Sequence, residues 1–311
     1  MTAYIVRRTL YVIPILLGVA LITFIVFHVA GGDPVLQMLG KHATAEEAAL
    51  YRHEYGFDQP LPLQFLRFLR QIVTLDFERS FQTKQTIGKM LADGAEASLS
   101  LAVPAFLMSE ILAISIALIA AALRRTILDR LIVVLSVLGM SVSVLAYILL
   151  GQYFLAFKFN LFPISGYEPE WSHRFNYLAL PWIIWILLAI GSDVRFFRTI
   201  FLEELGQDYV RTAHAKGLGP LRVLFSHVLR NAMVPIVTRL VIEIPFLFMG
   251  SLLLENFFGI PGLGSMTVDA FNNADWPVVK AITVLGAILY VFGNLFSDIL
   301  YAKVDPRVVL E

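Results

Sequence analysis

Apolar residues run from Thr9 to Gly32 with no Asp, Glu, Lys or Arg among them, directly after Arg7 and Arg8. A helix of roughly 20 apolar residues crosses the hydrocarbon core of a bilayer, so this stretch predicts a membrane span. It is longer than the apolar core of a signal peptide and lacks a convincing small-residue cleavage site, so it is read as retained. Five more stretches follow. Ala97 to Leu123 carries Glu110 at its centre, and Leu131 to Phe157 is uncharged. Tyr177 to Phe197 has Asp193 and Arg195 near its end, Asn231 to Leu254 contains Arg239 and Glu243, and Val278 to Leu300 has Asp298 near its end. The expected architecture is an all-α integral membrane protein of six transmembrane helices, with both termini on one side.

Lys and Arg choose that side. With the N-terminus inside, the inner segments hold Arg7, Arg8, Arg124, Arg125, Arg130, Lys303 and Arg307, and 192–230 adds Arg195, Arg198, Arg211, Lys216, Arg222 and Arg230. The short outer loops hold Lys158 and Arg174, with Lys280 at the border. The outer segment 31–95 is also basic, but it is long enough for the rule to lose force there. Both termini are therefore expected in the cytoplasm. Trp171, Trp182 and Trp276 are expected near the outer interface, where aromatic belts form.

Composition sharpens the class. Apolar residues are 58% of the chain and charged residues 15%, against about 25% charged in soluble domains. Lys+Arg (24) balances Asp+Glu (24), so no net charge steers the chain to a polyanion. There is no cysteine, which removes disulfides, thiolate metal sites and cysteine nucleophiles. Disorder, nucleic-acid binding and ordinary cytosolic enzymology are excluded. The chain divides into an N-terminal tail and first span (1–32), an extracytoplasmic loop region (33–95) and a five-helix core (96–311) with a cytoplasmic loop at 199–230.

The outer region has structure of its own. Thr44 to Glu47 reads as a capping box opening a short helix. Leu63 to Val73 repeats apolar residues at helical spacing, with Arg67 and Arg70 on another face. A packed cap over the outer mouth and a surface for a soluble partner are both compatible with this pattern.

In the inner loop, a short helix is expected from Asp208, a favourable N-cap residue, through Tyr209, Arg211 and Thr212 to about Lys216. Gly217 and Gly219-Pro220 stop it. Ala213, Ala215 and Gly217 are small and would let another protein approach the backbone. A second helix, Leu221 to Leu229, is expected to lie at the membrane surface. The first helix suits a groove on a cytosolic partner; packing on the chain's own spans is the alternative.

These residues resemble a known family. Gln207-Asp-Tyr-Val-Arg-Thr-Ala-His-Ala-Lys-Gly-Leu218 is similar to the coupling-loop signature of inner-membrane permease subunits of ATP-binding-cassette importers, dipeptide/oligopeptide B-type. Arg211-Thr212-Ala213 stand for the usual Glu-Ala-Ala triplet, Gly217 is the signature glycine, and Leu229-Arg230 replace Leu-Pro. That departure is typical of the peptide branch and points away from sugar importers. The resemblance covers nearly the whole chain: Gly32-Asp33-Pro34, Gly56 to Leu61, Phe162 to Gly166, Arg195 with Arg198, Glu255 to Gly264, Asn294, Asp298, Tyr301 and Asp305-Pro-Arg307. Asp76 to Ser80 departs, with Glu78 where the family usually has glycine.

The resemblance implies a non-enzymatic subunit of a bacterial-type, multi-pass inner-membrane transporter. Its implied partners are membrane lipid, a second homologous permease, two cytosolic ATP-binding subunits and an extracytoplasmic substrate-binding protein; nucleic acid is not among them. Peptides are the implied substrate, with nickel complexes, glutathione and oligosaccharides as alternatives. No Gly-x-x-x-x-Gly-Lys-Ser/Thr phosphate loop occurs, so the chain is expected to bind no cofactor itself, with ATP and Mg held by partner subunits. The six histidines show no i, i+4 pairing, and no metal site is expected.

Charge inside the spans supplies further candidates. Glu110, Arg239 and Glu243 would each cost on the order of 3 kcal/mol at mid-membrane and should face the bundle interior. Arg239 and Glu243 sit four apart and can pair; packing and lining a substrate path are both open. Glu255 to Gly264, with Phe258, Pro261, Gly262 and Gly264, reads as a tight turn at the outer mouth, either terminating the fifth span or acting as a gate or a docking point for a binding protein. Among other classes, an ion-coupled carrier would draw on Glu110 and Glu243, and an intramembrane hydrolase lacks a nucleophile–base arrangement.

Overall fold

The computed structural model describes residues 2–30, 35, 39, 44–54 and 56–304, without the side chains of 2–9, 29–30, 54 and 297–304. Gly32-Asp33-Pro34, Asp305-Pro-Arg307 and the side chains of Asp298 and Tyr301 therefore lie outside the described residues.

The described chain is helical. Helix α1 (Thr2–Ala30) presents Leu17, Leu21, Ile22 and Ile25 outward and buries Val12, Ala20 and Thr23. It packs on α13 (Trp276–Val304), the last helix. Between them in sequence come α2 (Ala45–Glu54) and α3 (Leu61–Thr74), in the region expected to lie outside. The capping box forms: the Glu47 N–H donates to Thr44 Oγ1 at 3.2 Å, and the Thr44 N–H donates to Glu47 Oε2 at 3.0 Å. Those bonds, the backbone one foremost, hold the Glu47 carboxyl below its usual range. Helix α3 buries Phe68 and ends at Leu75 in the left-handed region (φ 54°). Glu78 also has a positive φ of 64°, the conformation glycine adopts without strain, at the position where the sequence departs from its family. The outer region is tied to the start of α13 by buried Asp275, which accepts from the Ser80 hydroxyl and, at 3.0 Å, from the Phe81 N–H.

The core pair is α4 (Ile87–Ala122) with α7 (Trp171–Leu205). Helix α4 offers Ala102, Ala105, Ala113, Ala117, Ala120 and Ala121, all fully buried. Small residues let membrane helices approach closely without a hydrophobic driving force between them. Trp182 is part of this seam and donates its indole N–H to the Leu101 carbonyl at 3.0 Å. It is therefore a core residue rather than an interfacial anchor. Arg174, expected in an outer loop, is instead buried between the rings of Tyr167 and Trp171, each 4.7 Å away, and bonds Glu96 at 3.0 Å.

Two expected spans are broken. The uncharged third stretch forms α5 (Ile127–Ser141) and α6 (Val144–Gly151), the latter continuing as a π-helix over Gln152–Lys158, with a 93° bend between the halves. Val142 is extended, and Ser143 restarts the helix by accepting the Ala146 N–H at 3.2 Å. The Tyr147 hydroxyl donates back to the Gly139 carbonyl across the bend. The second break follows α10 (Arg230–Leu247): α11 (Leu252–Phe258) departs at 51°, so the fifth helix ends before Leu254. Helix α12 (Leu263–Asn272) then leads to α13. Among the described residues four helices are long and apolar enough to cross a membrane as they stand, and the number is six if each bent pair counts as one span.

Candidate functional site

The loop after α7 carries α8 (Asp208–Ala215), then α9 (Pro220–Val223), which runs through a π-helical turn (Leu224–Leu229) into α10. The expected separate surface helix at Leu221 to Leu229 is thus the beginning of the fifth span. Gln207 is the N-cap of α8, and Asp208 occupies its first turn, where a carboxylate complements the helix dipole. At the other end the Gly217 N–H bonds the His214 carbonyl (2.9 Å) and the Leu218 N–H bonds the Ala213 carbonyl (3.2 Å). Gly217 closes the helix at φ 78°, with open space where a Cβ would stand.

Helix α8 has two faces. Val210 and Ala213 are buried against Phe201, Val223, Leu224 and Val228 in one apolar cluster with the ends of α4 and α7. Ala213 is small because it packs inward; it does not offer its backbone outward. Asp208, Arg211, Thr212, Ala215 and Lys216 are exposed, and Arg211 bonds Asp208 at 3.2 Å. Tyr209 is half-buried and donates its hydroxyl to Glu204. Burial first, then that carboxylate, push its phenol up to about 12. Arg198, one helix earlier, makes a bidentate pair with buried Asp129 at 2.7 and 2.9 Å, fixing α7 to α5 beside this loop.

Within the spans, Arg239 pairs with Glu243 one turn along α10, as their spacing predicts. Arg239 also lies 3.9 Å from Asp193 on α7 and over the Phe196 ring at 5.7 Å. Glu110 on α4 is 95% buried (5% exposed), and its Oε2 has no hydrogen-bond partner among the described residues. Asp193, Glu243 and Arg239 are the charges that act on it. The structure therefore gathers three carboxylates and one guanidinium from three helices. Asp193 is the member the sequence reading left out. Its signal was an acid inside an apolar stretch, set aside for lying close to that stretch's end.

The Glu255–Gly264 segment is built around its carboxylate. Glu255 is fully buried and accepts from the Ser98 hydroxyl (2.8 Å), the Ser251 N–H (3.1 Å) and the Ser265 N–H (3.0 Å). A Cβ at Gly250, Gly262 or Gly264 would collide with that carboxylate. Gly259 ends α11 in the left-handed region, Phe258 is buried in the core rather than at the mouth, and Pro261 is exposed. The motif positions a turn; Asn256, Phe257, Gly259 and Pro261 are its exposed residues.

Comparison with known proteins places these features. The family model of the binding-protein-dependent transport system inner membrane component matches residues 113–310, and the model of its N-terminal part matches residues 1–102. The oligopeptide transport system permease protein AppB of Bacillus subtilis is 34% identical over 314 residues, covering 99% of each chain. A probable peptide ABC transporter permease of Sinorhizobium fredii is 34% identical over 318 residues, and the glutathione transport system permease GsiC of Salmonella typhimurium 33% over 308, each again covering 99% of both chains.

Proposed function

The chain belongs to the family of binding-protein-dependent transport system inner membrane components, and from that premise we propose that it forms half of a peptide path driven by ATP hydrolysis in other subunits. Its membership makes it a non-enzymatic permease subunit of an ATP-binding-cassette importer, a multi-pass inner-membrane protein that works with other transporter subunits. The proposal adds the finer roles. Both termini and α8 face the cytoplasm. The exposed side of α8, with Asp208, Arg211, Thr212, Ala215 and Lys216, docks on a cytosolic ATPase holding ATP and Mg. A second, homologous permease supplies the other half of the path, two ATPases bind below, and an extracytoplasmic protein delivers the peptide.

The observation that supports coupling most is the division of α8 into an anchored and an exposed face. Val210 and Ala213 are packed into the same cluster as α4, α7 and the start of α10, so force on the outward residues reaches three spans at once. ATP-driven closure of the ATPases would then rock the two permeases between inward and outward openings. The peptide substrate is supported by the names of the oligopeptide and peptide relatives; glutathione, itself a tripeptide, is supported by another. The Glu110–Asp193–Arg239–Glu243 cluster is assigned to the polar lining of the path.

The test is reconstitution with the partner subunits. Ala215→Glu, at an exposed site, should leave the permease folded while removing ATPase co-purification and substrate-stimulated hydrolysis. Unchanged hydrolysis and uptake would overturn the docking assignment. Competition between unlabelled dipeptides, longer peptides and glutathione for uptake separates the substrates.

A further inference from the structure

A cavity of about 380 Å³ lies where α1 and α3 meet the beginning of α13, and no residue of α8 or of the charge cluster lines it. Its aromatic wall includes Phe24 and Phe27 of α1, Phe68 of α3 and Trp276 of α13, with Phe27 and Trp276 at 5.5 Å between ring centroids. Two residues of α13 that carry hydrogen-bond donors, Trp276 and Lys280, line the same space. The Trp276 indole N–H is buried and has no acceptor among the described residues. Lys280, one turn further along the same face, has no hydrogen bond or salt bridge among the described residues, and the Glu78 carboxylate is the charge that acts on it. The carboxylate of the cavity, Glu78, is already engaged by Arg67 at 3.3 Å and by Gln71 at 3.0 Å.

An ammonium and an indole N–H on one helix face, both wanting an acceptor beside aromatic rings, match an anionic oxygen group joined to an apolar body. Position narrows the source. Trp276 opens α13 and Phe27 lies in the last turn of α1, so the donors sit at the level where a span meets the headgroups. The outer wall is α1, whose Leu21, Ile22 and Ile25 are turned away from the protein. Basic pockets between spans on the cytoplasmic side of membranes bind lipid headgroups, and the same chemistry serves at the opposite surface. We propose that this cavity is a binding site for an anionic phospholipid, its phosphate taken by Lys280 and Trp276 and its upper acyl chain laid along Phe24 and Phe27. The site is independent of which solute the protein moves.

The experiment is native mass spectrometry of the chain with its partner subunits, released from nanodiscs of equal phosphatidylglycerol and phosphatidylcholine. The wild type should retain phosphatidylglycerol over phosphatidylcholine, and Lys280→Gln should cut that preference by about fivefold, the factor of one basic residue at an anionic surface. Lys280→Arg should keep it. Trp276→Phe, which preserves the ring and removes only the N–H, should weaken it and serves where Lys280→Gln fails to assemble. Excess inorganic phosphate should leave the retained lipid in place. No preference in the wild type, or a preference untouched by both Lys280→Gln and Trp276→Phe, overturns the proposal. Displacement by phosphate assigns the site to a small soluble anion and overturns the lipid reading.

Discussion

The hydroxyl of Ser98 donates to Glu255 and accepts the Leu263 N–H, each at 2.8 Å, so one residue of α4 fastens both sides of the glycine-rich turn. Removing the carboxylate leaves the Ser98 hydroxyl and the N–H groups of Ser251 and Ser265 without their acceptor. Each unmet buried donor costs about 1–3 kcal/mol. Glu255→Ala should therefore destabilise the protein by several kcal/mol and lower the melting temperature of the purified complex, with Glu255→Gln losing less. Gly262→Ala should act in the same direction, because its methyl would displace the carboxylate. A Glu255→Ala protein melting with the wild type would end this account of the turn.

Gly191 marks a close approach of α7 to α5. A Cβ there would stand 2.7 Å from the Ser136 carbonyl oxygen and 2.9 Å from Met140 Cγ. A backbone oxygen cannot rotate away, so Gly191→Ala must separate the helices. Overpacking of this kind costs about 1–3 kcal/mol. The check is thermal unfolding in detergent, with Gly88→Ala, where nothing lies within 4 Å, as the neutral comparison.

The two faces of α8 should separate by mutation. Val210→Asp buries an unpaired carboxylate in the apolar cluster and should reduce the yield of folded protein. Arg211→Glu changes an exposed residue and should leave stability within about 0.5 kcal/mol of wild type. The same variant should depress substrate-stimulated ATP hydrolysis in the assembled transporter. Equal effects of the two substitutions on both readouts would contradict the division of faces.

Tyr209 gives a pH signature. Its phenol is pushed from an ordinary 10 to about 12, so the fold favours the neutral form. That contribution to stability is complete below pH 10 and is lost as pH rises from 10 through about 12. Stability measured across this window should fall more steeply in the wild type than in Tyr209→Phe, which has nothing there to ionise. Parallel curves would show that the bond to Glu204 does not distinguish the two protonation states.

How far the sequence could be read depends on the range of the interaction. The span of α1, the capping box of Thr44 and Glu47, and the Arg239–Glu243 pair follow from spacings of a few residues, and each is present. The bend inside the third apolar stretch escaped hydropathy because Val142 and Ser143 are compatible with either a helix or its interruption. Ser143 capping α6 decides the matter, and that is a local geometry composition does not encode. The purpose of Glu255 was hidden for the opposite reason, since its partner Ser98 is distant in the chain. The same holds for Asp193, whose neighbours Arg239 and Glu110 belong to other helices. Glu78 is a subtler case. Its departure from the family's glycine was legible, and the positive φ gives the departure its physical meaning.

Helix α7 runs unbroken from Trp171 to Leu205, 35 residues, or about 50 Å at 1.5 Å per residue. Arg174 clamps its first turn between two aromatic rings, and its far end adjoins α8. Were such a rod to pivot at the clamp, it would act as a lever. A tilt of only about 5° there would sweep the far end through roughly 4 Å, about the rise of three residues along a helix. Small angular adjustments at one membrane surface thus become displacements of side-chain size at the other.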